Sequence, residues 1–276
     1  MSNAAAPLTP ALPAQAGRES DVSSPLETWI DRDGALLRLR LNRPKANIVD
    51  AAMIGALHAA LREHARAARL RGVVLDAAGP HFSFGASVEE HRAEHCAAML
   101  DSLHALILAM LEFPAPIVVA VQGQCLGGGL ELALAGAPII AHPKAQLGQP
   151  ETRLGVFAPA ASCLLPYRIG AGAAEDLLLS GRVVSGADAK AMGLVEMLAD
   201  DPGAAGLAYF DEHLAPKSAA ALRLALRAVR GPRLSEVRRR LDQLTRLYVD
   251  TLMKTHDANE GIASFLEKRP PSWEHG

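Results

Sequence analysis

Two carboxylates in this chain stand where carboxylates are least at home. Glu131 is the only polar side chain in Leu130-Glu131-Leu132-Ala133-Leu134-Ala135, and Glu151 follows a proline in Gly148-Gln149-Pro150-Glu151-Thr152-Arg153-Leu154-Gly155. A lone glutamate on a short helix is ordinarily exposed, because an unpaired buried charge is costly. A second carboxylate set among glycines favours a shared cleft instead. Two carboxylates flanking one cleft suit acid/base work on water, since burial and repulsion push their proton affinities apart. Just ahead of Glu131, Gly127-Gly128-Gly129 opens an apolar helix. Glycine leaves backbone N–H groups unshielded at a helix N-terminus, where the dipole favours an oxyanion. The spacing G-x-x-x-G-G-G does not match the G-x-G-x-x-G of dinucleotide sites.

The elements that must hold these groups read as α/β. Leu37-Arg38-Leu39-Arg40-Leu41 alternates like a half-buried strand after a turn at Asp33-Gly34. Asp50 is placed to cap a helix running to about Leu70, with Ile54, Leu57, Leu61 and Ala65 on one face. Val73-Val74-Leu75, Ile117 to Val121 and Pro138 to Ala141 read as buried strands. Helical stretches run between them from about Val88 to Glu112 and from Gly128 to Ala135. This strand–helix alternation predicts crossover connections. After about Ala204 strands vanish, and residues 217–268 are helical by period, with a break expected at the basic stretch Arg227 to Arg233.

Composition narrows the function classes. The chain has 276 residues, 50% hydrophobic and 21% charged, enough for a substantial core. A net charge of −2 and 4% aromatic residues give no field or stacking platform for nucleic acid. No long apolar run predicts a membrane span. Three cysteines, Cys96, Cys125 and Cys163, are odd in number and far apart, which fits reduced thiols in a cytoplasmic protein. Residues 1–27 read as a flexible Ala/Pro/Ser arm. His91, His95 and Cys96 have a spacing compatible with a metal, but no third ligand follows at a typical interval and no metal is expected.

Four segments together resemble the enoyl-CoA hydratase/isomerase (crotonase) superfamily: Leu41 to Asn47, Phe82 to Ala86, Gly123 to Leu132, and Ala145 to Glu151. The resemblance covers about residues 28–270. It implies a spiral of ββα units in a core over residues 28–203, followed by a helical region over 204–276 that packs in homotrimers, often paired into hexamers. It also implies an oxyanion hole from the backbone N–H groups of Ala86 and Gly128, aimed at the thioester oxygen of an acyl-CoA. Glu131 and Glu151 are then the residues that hold the attacking water and exchange its protons. Lys45, Ala46 and Asn47, with Ser87, Val88, Glu89 and Gly127, are implied to line the CoA moiety, although Arg43 and Lys45 read equally well as solvated loop charges. Coenzyme A is part of the substrate, and no separate cofactor is implied.

The chain departs from the pattern of fatty-acid hydratases at Ser87, where they carry Asp, and from Ala158 to Pro166, where they read Pro-Gly-Ala-Gly-Gly-Thr-Gln-Arg-Leu. The combination of Pro44 to Asp50, Phe84 to His91 and Val156 to Ala160, with Phe157 and Ala158 in the wall that would face the acyl group, is similar to cyclohexa-1,5-diene-1-carbonyl-CoA hydratases of anaerobic benzoyl-CoA degradation. That similarity implies 1,4-addition of water to a cyclic diene. A general enoyl-CoA hydratase, an enoyl-CoA isomerase using one carboxylate, and a non-catalytic acyl-CoA or RNA-binding protein of the same fold are the alternatives.

Overall fold

The computed structural model describes residues 24–276. Most of the expected N-terminal arm therefore lies outside the described residues, and its last two positions already belong to the first strand. The chain enters as β1 (Leu26–Asp31), turns at Arg32–Gly34, and returns antiparallel as β2 (Leu36–Leu41), pairing Leu26 with Leu41 and Asp31 with Leu36. The turn needs left-handed backbone at Asp33 (φ 53°) and Gly34 (φ 88°), which short polar residues and glycine tolerate best.

From β2 the chain winds through right-sized crossovers. The helix α1 (Ala51–His64) leads to β3 (Gly72–Ala77), and α2 (Cys96–Glu112) leads to β4 (Ile117–Val121). Both strands run in the direction of β2, so the sheet is covered on both faces; its strands are mostly apolar, with Arg38, Arg40 and Asp76 as the charged exceptions on β2 and β3. Next come β5 (Gln124–Leu126), α3 (Gly128–Leu134), β6 (Ile139–Ala141) and β7 (Gln146–Gly148). They are followed by α4 (Pro159–Ile169), α5 (Ala171–Ser180), β8 (Val183–Ser185), α6 (Gly186–Ala191) and β9 (Met197–Leu198). One sheet runs β1-β2-β3-β4-β6-β9 and a smaller one runs β5-β7-β8. The last part is helical: α7 (Pro202–Tyr209), α8 (Ala219–Arg246) and α9 (His256–Leu266). On one face of the large sheet Leu37, Leu39, Val73 and Val119 pack under α1 and α2; on the other Val74, Val118 and Ile140 meet Phe210 and Leu214.

Three expected boundaries move. Asp50 does cap α1, accepting from the Met53 N–H at 2.9 Å, but the helix ends at His64 because Leu70 turns inward ahead of β3. The helix expected from Val88 starts at Cys96; Glu89–His91 form a separate 3₁₀ turn, which brings Val88 and His91 to a cavity. No break occurs at Arg227 to Arg233. The helix α8 continues through Pro232, tied down by buried Arg230, which donates to the carbonyls of Met110 (3.2 Å) and Leu111 (3.0 Å) at the end of α2. Those carbonyls are the orphans that every helix C-terminus leaves.

Candidate active site

Glu131 lies one turn into α3 and is buried, at 3% exposure. The next helix, α4, begins Ala158-Pro159-Ala160-Ala161 and has no capping side chain of its own. Glu131 supplies the cap from across the cavity: its Oε1 accepts from the Ala161 N–H at 2.8 Å. Burial pushes its pKa up to about 7, and the Ala161 and Ala160 amides hold it from rising further.

Glu151 sits in the 3₁₀ turn Pro150–Leu154, where proline at the first position fixes the turn and Gly155 (φ 69°) ends it. Gln149, buried just before it, places its amide nitrogen 2.9 and 3.0 Å from the two Glu151 carboxylate oxygens once its amide is oriented to donate. Burial first, and then the Glu131 charge, push Glu151 up to about 8. Glu151 is partly open to the cavity, which softens that shift. No cation pairs with either carboxylate among the described residues. At neutral pH the pair therefore holds a proton between two sites, the condition for one group to take a proton while the other gives one.

The glycines explain themselves by what a side chain would meet. A Cβ at Gly127 (φ 50°) would fall 2.7 Å from Glu151 Oε1, and one at Gly128 would fall 3.0 Å from the Ala86 nitrogen. Gly128 is the first residue of α3, so its N–H has no intrahelical acceptor. The Ala86 N–H likewise bonds to no acceptor in the surrounding loops. Ala86 is held in place because Val49 donates to the Gly85 carbonyl at 2.9 Å and Gly85 donates to Ser83 Oγ at 3.0 Å. Two amides without acceptors thus line the same cavity as two carboxylates that no cation pairs.

Of the residues expected at the site, Ala86, Val88, Gly127, Gly128, Glu131, Glu151, Phe157 and Ala158 line one cavity. Lys45, Ala46, Asn47, Ser87 and Glu89 lie outside that lining. Asn47 is buried with its side chain spent on loops: Oδ1 accepts from the Arg43 N–H, and Nδ2 donates to the Ala78 and His81 carbonyls. Arg43 pairs with Asp50 and Glu89 with Arg92, while Lys45 is exposed in left-handed backbone, φ 97°. The cavity also contains residues that no local pattern announced: Met99, Leu100 and Leu103 from α2, and Tyr248 beyond α8. His91 lines it as well. Its Nδ1 lies 2.8 Å from the Ser87 carbonyl, and a carbonyl only accepts, so the proton is on Nδ1 and Nε2 is left an acceptor. Burial lowers the His91 pKa and keeps the ring neutral. Among the described residues no cluster of His, Cys, Asp and Glu is arranged to hold a metal. The three cysteines are free and buried, and burial raises the Cys163 thiol to about 11 and Cys125 further, which suits packing rather than attack.

The chain belongs to the enoyl-CoA hydratase/isomerase family, whose model residues 31–276 match. The chain is 59% identical to the cyclohexa-1,5-dienecarbonyl-CoA hydratase of Thauera aromatica over 256 residues, which is 93% of this chain and 99% of that protein. It is 38% identical to a putative enoyl-CoA hydratase of Thermus thermophilus over 73% of this chain and 82% of the other. Among solved structures it is similar to an enoyl-CoA hydratase/isomerase from Pseudoalteromonas atlantica, with a TM-score of 0.79 and 27% identity over 90% of this chain and 99% of that one.

Proposed function

We propose that the protein is a hydro-lyase that adds water 1,4 across cyclohexa-1,5-diene-1-carbonyl-CoA, giving 6-hydroxycyclohex-1-ene-1-carbonyl-CoA. The observation that carries the hydration chemistry is the uncompensated pair Glu131 and Glu151 beside the free amides of Ala86 and Gly128. The cyclic substrate rests on the 59% identity with the Thauera protein and on Phe157 and Ala158 in the cavity wall.

In this reading the thioester oxygen accepts from the Ala86 and Gly128 amides, which strengthen as negative charge collects there; one such donor is worth about 2.7–4 kcal/mol of barrier. Water sits between the glutamates. Its oxygen bonds to the ring carbon β to the thioester as one carboxylate takes its proton. The displaced electron pair spreads onto the thioester oxygen and, through the second double bond, to the far end of the diene. A proton from the carboxyl partner then lands on the far end of the diene, leaving one ring double bond. One water is consumed and the enzyme's proton count is unchanged. Either glutamate can fill either role.

The helical region from residue 204 is proposed to assemble the protein as a homotrimer or a dimer of trimers. Leu224, Val229 and Leu247 on and after α8 are exposed apolar side chains that such a contact would cover. Sedimentation at the 29.1 kDa of one chain would refute assembly. For the reaction, purified protein is offered the cyclic dienoyl thioester and crotonyl-CoA while diene absorbance is followed. The expected result is a higher kcat/KM on the cyclic diene, with solvent deuterium at the far end of the former diene. A higher kcat/KM on crotonyl-CoA would leave a general enoyl-CoA hydratase.

A further inference from the structure

Tyr248 is not accounted for by the carboxylates and amides. Beyond α8 the chain widens into a π-helical turn at Leu247–Thr251. A π turn rotates the residues it carries relative to the preceding helix, and such turns concentrate at functional sites. Here Leu247 faces solvent while Tyr248 turns inward, fully buried, and lines the cavity that holds Glu131 and Glu151. Its ring stands 5.3 Å from that of Phe157, tilted by 59°. Its hydroxyl, though buried, has no hydrogen-bond partner among the described residues. A buried phenol ordinarily finds one, because leaving it orphaned costs about 1–3 kcal/mol. Phenylalanine would fill the same volume without that cost, so packing alone does not explain tyrosine here. Burial, with the charges of Glu151 and Glu131 as lesser contributors, holds the phenol well above its ordinary pKa. The hydroxyl therefore neither gives up its proton nor competes for the one the glutamates exchange.

We propose that Tyr248 is a substrate-positioning residue whose Oη hydrogen-bonds the oxygen that is added, first as water between the glutamates and then as the new hydroxyl on the acyl group. This rests on the hydration reading above. A neutral phenol suits the task, since it can donate to an oxygen lone pair while both water protons remain free for the carboxylates.

The test is Tyr248→Phe, which removes one oxygen. Binding is measured for two thioesters that differ by one hydroxyl, 6-hydroxycyclohex-1-ene-1-carbonyl-CoA and cyclohex-1-ene-1-carbonyl-CoA. The variant is expected to bind the hydroxylated ligand about 10-fold more weakly, to bind the deoxy ligand within about 2-fold of wild type, and to lose about 10-fold in kcat. Its melting temperature should be equal or higher, because an orphan is removed. Equal losses for both ligands, or no loss for either, would overturn the assignment. If wild-type protein refuses cyclic thioesters, the substrate reading fails by itself. The same contrast is then read with 3-hydroxybutyryl-CoA and butyryl-CoA.

Discussion

The molecule buries charge in two places and treats it in opposite ways. On the large sheet, Asp76 on β3 is enclosed by arginines from β2: Arg38 donates at 2.9 Å, and Arg40 donates through two nitrogens at 2.7 and 2.9 Å. Trp29 on β1 covers both guanidinium groups, 4.9 and 5.6 Å from their centres. Each carboxylate oxygen has a cation. In the cavity, Glu131 is as deeply buried as Asp76 and Glu151 is half-buried beside it, yet among the described residues the donors to them are backbone and side-chain amides. Amides tune a carboxylate without fixing its proton, whereas a guanidinium locks it in the ionised form. The first site pairs its carboxylate with cations, and the second leaves its carboxylates without one.

That contrast can be broken most severely at the cavity. Glu131→Gln or Glu151→Gln should leave a folded protein with turnover reduced by about 10²–10⁴-fold, read by steady-state kinetics. Wild-type kcat should trace a bell against pH with its maximum between the values near 7 and 8 of the two glutamates. A flat profile from pH 5 to 9 would remove the shared-proton picture.

At the other site the effect moves from rate to stability. Asp76→Ala strands Arg38 and Arg40 beside each other, and should cost about 3–5 kcal/mol in urea denaturation while kcat per folded molecule is kept. If the loss appears in kcat instead, the two sites are not independent.

The two can also be separated by the sign of their pH dependence. Glu131 has a folded pKa raised above its unfolded value of 4.5, so its stabilising contribution is present below pH 4.5 and is lost as pH rises through about 7. Glu131→Gln should therefore be more stable than wild type at pH 8, on the order of 1–3 kcal/mol, with the difference vanishing below pH 4.5. Equal denaturation midpoints at pH 8 would sink this.

An effect of similar size and opposite pH sign is expected at His104 in α2, buried with its Nδ1 2.9 Å from Thr245 Oγ1 and no partner at Nε2 among the described residues. Burial lowers its pKa from 6.5 to about 4, so the folded state resists a proton that the unfolded chain accepts. Wild type should lose on the order of 1–3 kcal/mol between pH 6.5 and 4, and His104→Gln should flatten that slope in acid titrations of stability.

What sequence made legible were features written in a few neighbouring residues. A carboxylate alone in an apolar helix, glycines ahead of it, a proline before the second glutamate and an Asp cap on α1 all carry their reason locally, and the cavity gathers the residues they pointed to. Contacts between distant elements were not legible in that way. Glu131 capping α4, Arg230 holding α8 straight through Pro232, and Tyr248 arriving on a π turn each depend on a partner far along the chain. Asn47 shows the converse. Its motif marked it as site-lining, and its side chain makes three loop contacts that fix the shape of that loop.

The turn that carries Glu151 leans on much later chain. A Cβ at Gly155 would fall 2.6 Å from the Asp257 carbonyl oxygen, and one at Gly261 would fall 2.1 Å from that of Leu154, so α9 seats directly on the turn. Asp257 lies 106 residues beyond Glu151, 257 minus 151. At about 5–20 residues per second of synthesis, the ribosome delivers the glutamate roughly 5–20 s before its support. Through that interval the nascent chain has no dry cavity to impose on its carboxylates, which stay wet and ordinarily acidic. Proton sharing is thus acquired late, after most of the α/β core has already been made.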